Sequence, residues 1–292
     1  PEPGEPLVVE LAEPPALEYE RGTKTEGDAH YARLARGVGG LRYDPGLGQA
    51  ARELAHFHAT QGALPPTEVL SFLLDSGGAA AWGVEQMMLV TSDEGEGALL
   101  EQLKKMKRRR RQGDPVLRIG VGETWTLTKP PRRHIASLIS RSELDLDRVG
   151  REVEPGDSVT VRGRVSGHTD VNLLVMGPDL DVREASVTMR GDRFESVIPM
   201  GNQTGPAYVE ILARGPFGPT PLAQLSFRVG EPLPWEFETQ WPPDESALET
   251  TEQAEAYAFD LINTDRVRFG LEPVTRTTVL DDAAFILSLI HI

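Results

Sequence analysis

The chain has 292 residues, of which 45 are Asp or Glu and 30 are Lys or Arg, giving a formal net charge of −15 and no cysteine. Disulfides, thiolate metal sites and a cysteine nucleophile are therefore excluded, and the acidic balance argues against general affinity for nucleic acid or anionic lipid. The length allows two or three domains, and no run of about 18 apolar residues predicts a membrane-spanning helix.

Residues 1–27 are rich in Pro, Glu and Gly and read as an extended leader with one short strand at Pro6–Leu11. Asp28–Gly37 reads as a helix that Gly37-Val38-Gly39-Gly40 breaks. Leu47–Gln61 is an Ala-rich helix. After the turn Gly62–Pro66, Pro66 suits the first position of another helix, which Gly77-Gly78 ends. Trp82–Thr91 is an apolar, strand-like run, and Ser92 or Asp93 then caps a helix through Leu103. Strands are expected at Leu117–Gly122 and Arg133–Ser140.

Arg151–Gly230 lacks helical periodicity. Short β-rich runs at Ser158–Val165, Val171–Met176, Ala185–Met189, Arg193–Ile198, Ala207–Arg214 and Leu222–Val229 are separated by Gly and Pro turns. Val159 and Val161 alternate with Thr160 and Arg162, as one buried and one wet face require. The spacing predicts an all-β sandwich over 151–230, and the segment resembles the immunoglobulin-like modules of bacterial surface proteins. Residues 231–250, with Pro232, Pro234, Pro242 and Pro243, read as a semi-stiff Pro-rich linker.

In Glu255–Ala284, Tyr257, Phe259, Leu261, Ile262 and Val267 suit a helix with one buried face. Gly270 is placed to end it, Pro273 blocks its continuation, and Val279–Ala284 starts a second helix. The pattern is Asn-x-x-Arg, Gly-Leu-x-Pro, then Leu-x-x-Ala-Ala. It resembles the opening of the CAP superfamily (cysteine-rich secretory proteins, antigen 5, pathogenesis-related 1), here the cysteine-free bacterial branch. Asn263, Arg266, Gly270, Leu271, Pro273, Leu280 and Ala284 carry the match. A second, weaker copy reads Gly40-Leu41, Asp44, Leu47 and Ala50-Ala51. The resemblance implies an α/β fold: a degenerate α-β-α CAP-like sandwich over 28–148, then the β-sandwich, then the start of a second CAP domain over 251–286. The ending Ser-Leu-Ile-His-Ile looks like a translated adapter tail. About 287–292 are thus expected to be non-native, and His291 is not read as a ligand.

A full CAP cleft, by resemblance, holds a divalent metal with two His and two Glu. In the first copy the candidates are Glu85, with Gln86 where the family has Asn, and His58, since His56 and His58 point about 200° apart on one helix. Leu99–Pro115, expected to supply the last His, contains none. One Glu and one His make a poor site, so no metal and no cofactor is expected in this copy. The basic run Lys104–Arg111 reads as a solvated loop, since no aromatic residues interleave it. Ile119-Gly120-Val121-Gly122 lacks the third glycine and following helix of a dinucleotide site. Ser137, Ser140 and Ser142 near His134 have no Gly-x-Ser-x-Gly elbow. The resulting expectation is an exported bacterial envelope or surface protein that binds a protein, lipid or glycan through its CAP-like repeats, without catalysis and without nucleic acid. The alternative is a metal-dependent hydrolase that uses the cleft of a complete second CAP domain.

Overall fold

A computed structural model describes residues 4–19, 25–92, 95–109, 116–168, 170–215, 218–242 and 248–291, with the side chains of 106, 109, 285 and 287–291 left aside. The chain forms two compact units, Pro1–Trp241 and Pro242–Ile292. No helix among the described residues is long and apolar enough to cross a membrane.

The first unit contains a three-layer α/β part. A four-stranded sheet has the order β3 (Leu41–Tyr43), β5 (Val116–Thr126), β6 (Arg132–Ser142), β4 (Glu85–Thr91). β3 is parallel to β5; the other pairs are antiparallel. α2 (Pro45–Gln61) and α3 (Thr67–Gly77) pack on one face, sharing a core with Ala136 and Leu138 of β6. α1 (Glu26–Val38) and α4 (Glu96–Arg109) pack on the other, with Ile135 and Ile139. Even-numbered residues of β6 thus face α2, and odd ones face α1 and α4.

Local sequence explains these elements. Asp44 caps α2 by accepting the Leu47 N–H at 2.9 Å, Pro45 fits the first turn, and Gly62 ends the helix in the left-handed region. Leu47, Ala50, Ala51, Leu54 and Ala55 are fully buried. Their small size brings α2 against β5, where Gly120 and Gly122 leave room for it. A Cβ on Gly120 would lie 2.0 Å from the Leu47 carbonyl carbon, and one on Gly122 would lie 2.1 Å from the Arg52 nitrogen. The Gly-x-Gly of this strand is therefore a helix-packing device.

Four expectations for this part need correction. Ser92 does not cap α4, which begins four residues later at Glu96. Pro66 is the N-cap of α3, not its first residue. The strand-like run begins at Glu85, because Trp82–Val84 form the turn before it. Lys104, Lys105, Lys107 and Arg108 are the second half of helix α4, not a loop, as suits cations at a helix C-terminus. Asp93, Arg110 and Arg111 lie outside the described residues.

The β-sandwich joins a sheet β13-β14-β10-β7 to a sheet β12-β11-β15-β16-β9. The first comprises β13 (Thr188–Arg190), β14 (Arg193–Pro199), β10 (Ser158–Val165) and β7 (Leu144–Leu146). The second comprises β12 (Val182–Ala185), β11 (Val171–Met176), β15 (Gly205–Gly215), β16 (Gly218–Val229) and β9 (Glu152–Val153), the last parallel to β16. Inward residues such as Val161, Leu173, Val209 and Leu225 form one core. The sandwich begins before residue 151, since Leu144 and Leu146 are in that core. The expected strand Ala185–Met189 is two strands in different sheets, because the chain crosses between them at Ser186-Val187. Ser196 Oγ donates to the Ser186 carbonyl at 2.9 Å there.

The leader and the linker are also built into this unit. β1 (Pro6–Glu10) pairs antiparallel with β17 (Glu236–Gln240), and Leu7, Val9, Phe237 and Trp241 pack on the α2–α3 side. β2 (Glu18–Tyr19) pairs with β8 (Val149–Gly150) and sends Tyr19 into the sandwich core. The extended leader over 1–27 thus has its expected strand, at Pro6–Glu10, and a second at Glu18–Tyr19, and the expected linker over 231–250 contains a strand at Glu236–Gln240.

The second unit holds α5 (Thr251–Arg268) and α6 (Thr278–His291). α5 has no buried residue, so the expected buried face is exposed or half-exposed. Gly270 (φ +70°) ends α5 as expected. Asn263 grips the loop from both sides, donating to the Val274 carbonyl at 3.1 Å and accepting its N–H at 2.8 Å. Arg266 donates to the Glu272 carbonyl at 2.8 Å. Leu271 and Leu280 are exposed, and Pro273 lies in the extended connection. The side chains of 287–292 lie outside the described residues.

Candidate functional site

The three cleft candidates do not converge. Glu85 pairs with Ile139 and so sits on the α1–α4 face of β4, exposed. Gln86 pairs with Leu138 on the opposite face, its Oε1 buried without a hydrogen-bond partner. His58 projects from the end of α2 to His134 of β6, with Nδ1 atoms 3.0 Å apart. His134 pairs with Val90, five strand residues from the Glu85 pair, or about 17 Å along the strand. His58 and Glu85 are therefore on opposite faces and far apart. Among the described residues no group of three or more His, Asp or Glu is placed to hold a metal. Ser137 faces away from His134, Ser140 Oγ donates to the Trp82 carbonyl at 3.0 Å, and Ser142 Oγ donates to the Leu144 carbonyl at 2.8 Å.

Another arrangement builds a polar cleft of about 370 Å³ between the start of α1 and the outer half of β5. It exists because β3 is only three residues long. β3 pairs with Leu117–Ile119, and beyond that point β5 has β6 on one side and no described strand on the other. Tyr31, Arg33, Arg52, Glu123 and Arg133 are in its wall.

Two clusters hold the side chains of the wall. Tyr31 Oη donates to Glu123 Oε2, and Arg133 donates to the same oxygen from Nε at 3.1 Å and from Nη2. Tyr43 Oη donates to Asp28 Oδ1, which also accepts from Arg52 Nη1 at 2.8 Å. Arg52 then grips Glu13 through Nε at 2.6 Å and Nη2 at 3.0 Å, a bidentate pair. Asp28 meanwhile closes a capping box with Thr25, accepting the Thr25 N–H at 3.1 Å while Thr25 Oγ accepts the Asp28 N–H at 3.0 Å. The helix start and Arg52 of the cleft wall therefore share one carboxylate, itself buried behind the wall.

The electrostatics follow from burial and pairing. Burial, then the hydrogen bond to Glu123, pushes the Tyr31 phenol far above its ordinary value, and Tyr43 rises by burial and Asp28 in the same way. Burial acts to lower the Arg52 value, but Glu13 and Asp28 outweigh it and raise it. Both phenols stay protonated and the guanidinium stays charged. Trp125 lies on the same face of β5 as Glu123, two residues on, with 47% of its surface exposed and the Arg133 guanidinium 5.7 Å from its ring.

Sequence reasoning missed this cleft. Its residues are scattered over 13–133, and no spacing rule unites them. The signal present was Tyr31 on the buried face of α1, one turn after the Thr25–Asp28 cap.

No protein-family model matches the chain, and no curated protein does. Among solved structures it is similar to the Lin-41 filamin domain, at 16% identity over 30% of this chain and 92% of that one, TM-score 0.25. It is similar to CopC from Methylosinus trichosporium OB3b, at 13% identity over 31% and 99%, TM-score 0.23. It is also similar to FN3tt, at 20% identity over 27% and 88%, TM-score 0.20.

Proposed function

We propose that this chain is a binding segment of an exported bacterial surface or envelope protein, and that it recognises its ligand without transforming it. The observation that carries this reading is the pairing of charges in the cleft wall and behind it. Arg133 holds Glu123, and Arg52 holds Asp28 and Glu13. Those pairs occupy the carboxylates, and His30, the imidazole in the wall, lies 3.6 Å from Glu96 of α4. The paired groups supply fixed donors and acceptors, and the half-exposed Trp125 adds a flat apolar surface beside them. That combination suits a hydroxyl-rich ligand, so a surface glycan is the favoured class over protein or lipid. In this reading the α/β part is a degenerate CAP-like copy acting as scaffold, the sandwich is a spacer, and α5 and α6 open a second copy. The repeated helix, Gly-Leu and Ala-Ala helix pattern supports that assignment.

The test is calorimetric titration of the full chain with N-acetylglucosamine oligomers. Binding is expected, weakened about tenfold by Arg133→Gln through loss of a charge-assisted contact of about 1.5 kcal/mol. Hydrolysis of the oligomers, or of a peptide or ester substrate, that is lost in Glu123→Gln would refute the non-catalytic reading. Absence of binding by the folded chain would refute the glycan assignment.

A further inference from the structure

The sheet order leaves β4 with one strand neighbour, β6. Its seven residues pair with β6 without a bulge, from Glu85 opposite Ile139 to Thr91 opposite Arg133. The direction of its main-chain groups follows from one bond at the far side of the sheet. The Asp44 N–H donates to the Ile119 carbonyl at 2.9 Å, so odd residues of β5 turn their main-chain groups toward β3. Even residues of β5 therefore bond to β6, and the alternation carries through. Odd residues of β6 bond to β4, and odd residues of β4 bond to β6. The N–H and C=O groups of Gln86, Met88 and Val90 point out of the sheet edge, and no described strand lies beside them.

Open edges in natural proteins usually carry lysine, proline, a bulge or a very short strand. Glu-Gln-Met-Met-Leu-Val-Thr has none of these, and its one charge is at the end. Met87, Met88 and Leu89 are half-buried and Val90 is 39% exposed.

We propose that a second copy of this chain pairs its own β4 with this edge, antiparallel, across a two-fold axis at Met88. The sequence is self-complementary in that register. Met88 meets Met88 of the other copy, Gln86 meets Val90, Met87 meets Leu89, and Glu85 meets Thr91, so no like charges oppose. Each outward residue offers one donor and one acceptor, giving about six main-chain hydrogen bonds that use every outward group. A centre at Met87 or Leu89 also lets outward groups meet, but it sets Val90 or Gln86 opposite a residue outside the strand and gives about four main-chain bonds in place of six. The contact is isologous, so it closes as a dimer, and the two four-stranded sheets become one. A seven-residue strand pair buries less than the roughly 1,600 Å² of a standard stable interface, so the dimer is weak and depends on concentration.

Sedimentation velocity of the full chain over a range of concentrations tests this. The wild type is expected to move toward twice the chain mass as concentration rises. Met88→Pro removes an N–H that the β4–β6 ladder does not use, and proline is tolerated on an edge strand. It is expected to stay folded, with a melting temperature lowered by the lost packing of Met88 on the α2–α3 side, and to remain monomeric. Two double variants read the register. Gln86→Lys with Val90→Lys sets cations opposite each other and should abolish the dimer. Gln86→Glu with Val90→Lys sets opposite charges together and should retain it. A wild type that stays monomeric up to its solubility limit, a folded Met88→Pro that still dimerises, or equal association by the two double variants overturns the proposal.

Discussion

His58 and His134 face each other through Nδ1 atoms 3.0 Å apart, tying the end of α2 to the middle of the sheet. One hydrogen fits between two ring nitrogens at that distance, so one ring donates and the other accepts, and a doubly protonated pair loses the bond. His134 Nε2 lies 3.4 Å from Thr126 Oγ, within reach of a hydrogen bond. Burial lowers the His58 value; burial, then His58 and Arg132, lowers that of His134.

These shifts fix a pH dependence and its sign. The folded-state values lie below the ordinary 6.5, so the unfolded chain takes up protons first as pH falls. The stability held by the neutral pair is complete above 6.5 and is lost as pH falls through the folded-state values. Thermal melts between about pH 7.5 and about pH 5.5 should show the wild type losing stability faster than His134→Gln. Parallel curves for the two proteins would remove the pair from the explanation.

Arg151 is fully buried where the α/β part meets the sandwich, and it should be the costliest polar side chain to remove. It donates to the Ala16 carbonyl at 2.9 Å, to Asp75 of α3 at 2.7 Å and to Ser226 Oγ of β16 at 3.0 Å. Its guanidinium lies 4.9 Å from the Tyr19 ring. Tyr19 Oη donates to the Ser226 carbonyl at 3.1 Å, and burial pushes its phenol up to about 12. Arg151→Met leaves Asp75 without its cation in a half-buried site. A loss of about 3 kcal/mol is expected in denaturant unfolding, toward the lower end for broken buried pairs because Asp75 retains some solvent. Arg151→Lys should recover little, since one ammonium cannot span three partners on separate elements. A change under about 0.5 kcal/mol for Arg151→Met would mean the junction is held by apolar packing alone.

Much of this architecture is visible in the sequence where a period is local. Ser158–Val165 and Val171–Met176 alternate so cleanly that their limits match the strands observed. The helices α1 and α2 carry side-chain caps and glycine stops of their own, and α3 a glycine stop. What the sequence hides is pairing at long range. Glu236–Gln240 sits among prolines and reads as linker, yet it is a strand because Pro6–Glu10, some 230 positions away, provides its partner. The candidate site is hidden for the same reason. His58 comes from α2 on one face of the sheet, and the pleat of β4 turns Glu85 to the other. Tyr31, Glu123 and Arg133 meet only once α1 is laid against β5.

Gly122 should tolerate no side chain. A Cβ there would lie 2.1 Å from the Arg52 nitrogen and 2.4 Å from the Ala51 carbonyl carbon, both backbone atoms of a packed helix. Gly122→Ala must push α2 off the sheet, and a loss of about 3 kcal/mol or more is expected. Gly150→Ala is the control, because a Cβ there meets nothing within 4 Å. It should stay within about 0.5 kcal/mol of wild type. Equal melting temperatures for the two variants would show that α2 does not pack this closely.

Asn263 gives a prediction confined to the second unit. Its amide closes on Val274 from both sides, acting as a stand-in for a strand neighbour across the loop that follows α5. Arg266 reinforces the turn from one helical turn further on, and Gly270 supplies the left-handed backbone between them. Both bonds are exposed, so the net contribution is about 1 kcal/mol each at most. Asn263→Ala should leave the helicity of α5 unchanged, since α5 keeps its Thr250–Gln253 capping box. The Val274 amide should lose its acceptor, and its hydrogen exchange in the full chain should accelerate by about fivefold to tenfold, the factor that roughly 1 kcal/mol of local opening represents. Asn263→Asp retains the acceptor for the Val274 N–H and should restore most of the protection, whereas Asn263→Leu should not. Exchange at Val274 that is unchanged in Asn263→Ala would mean that Arg266 and Gly270 shape the loop without the asparagine.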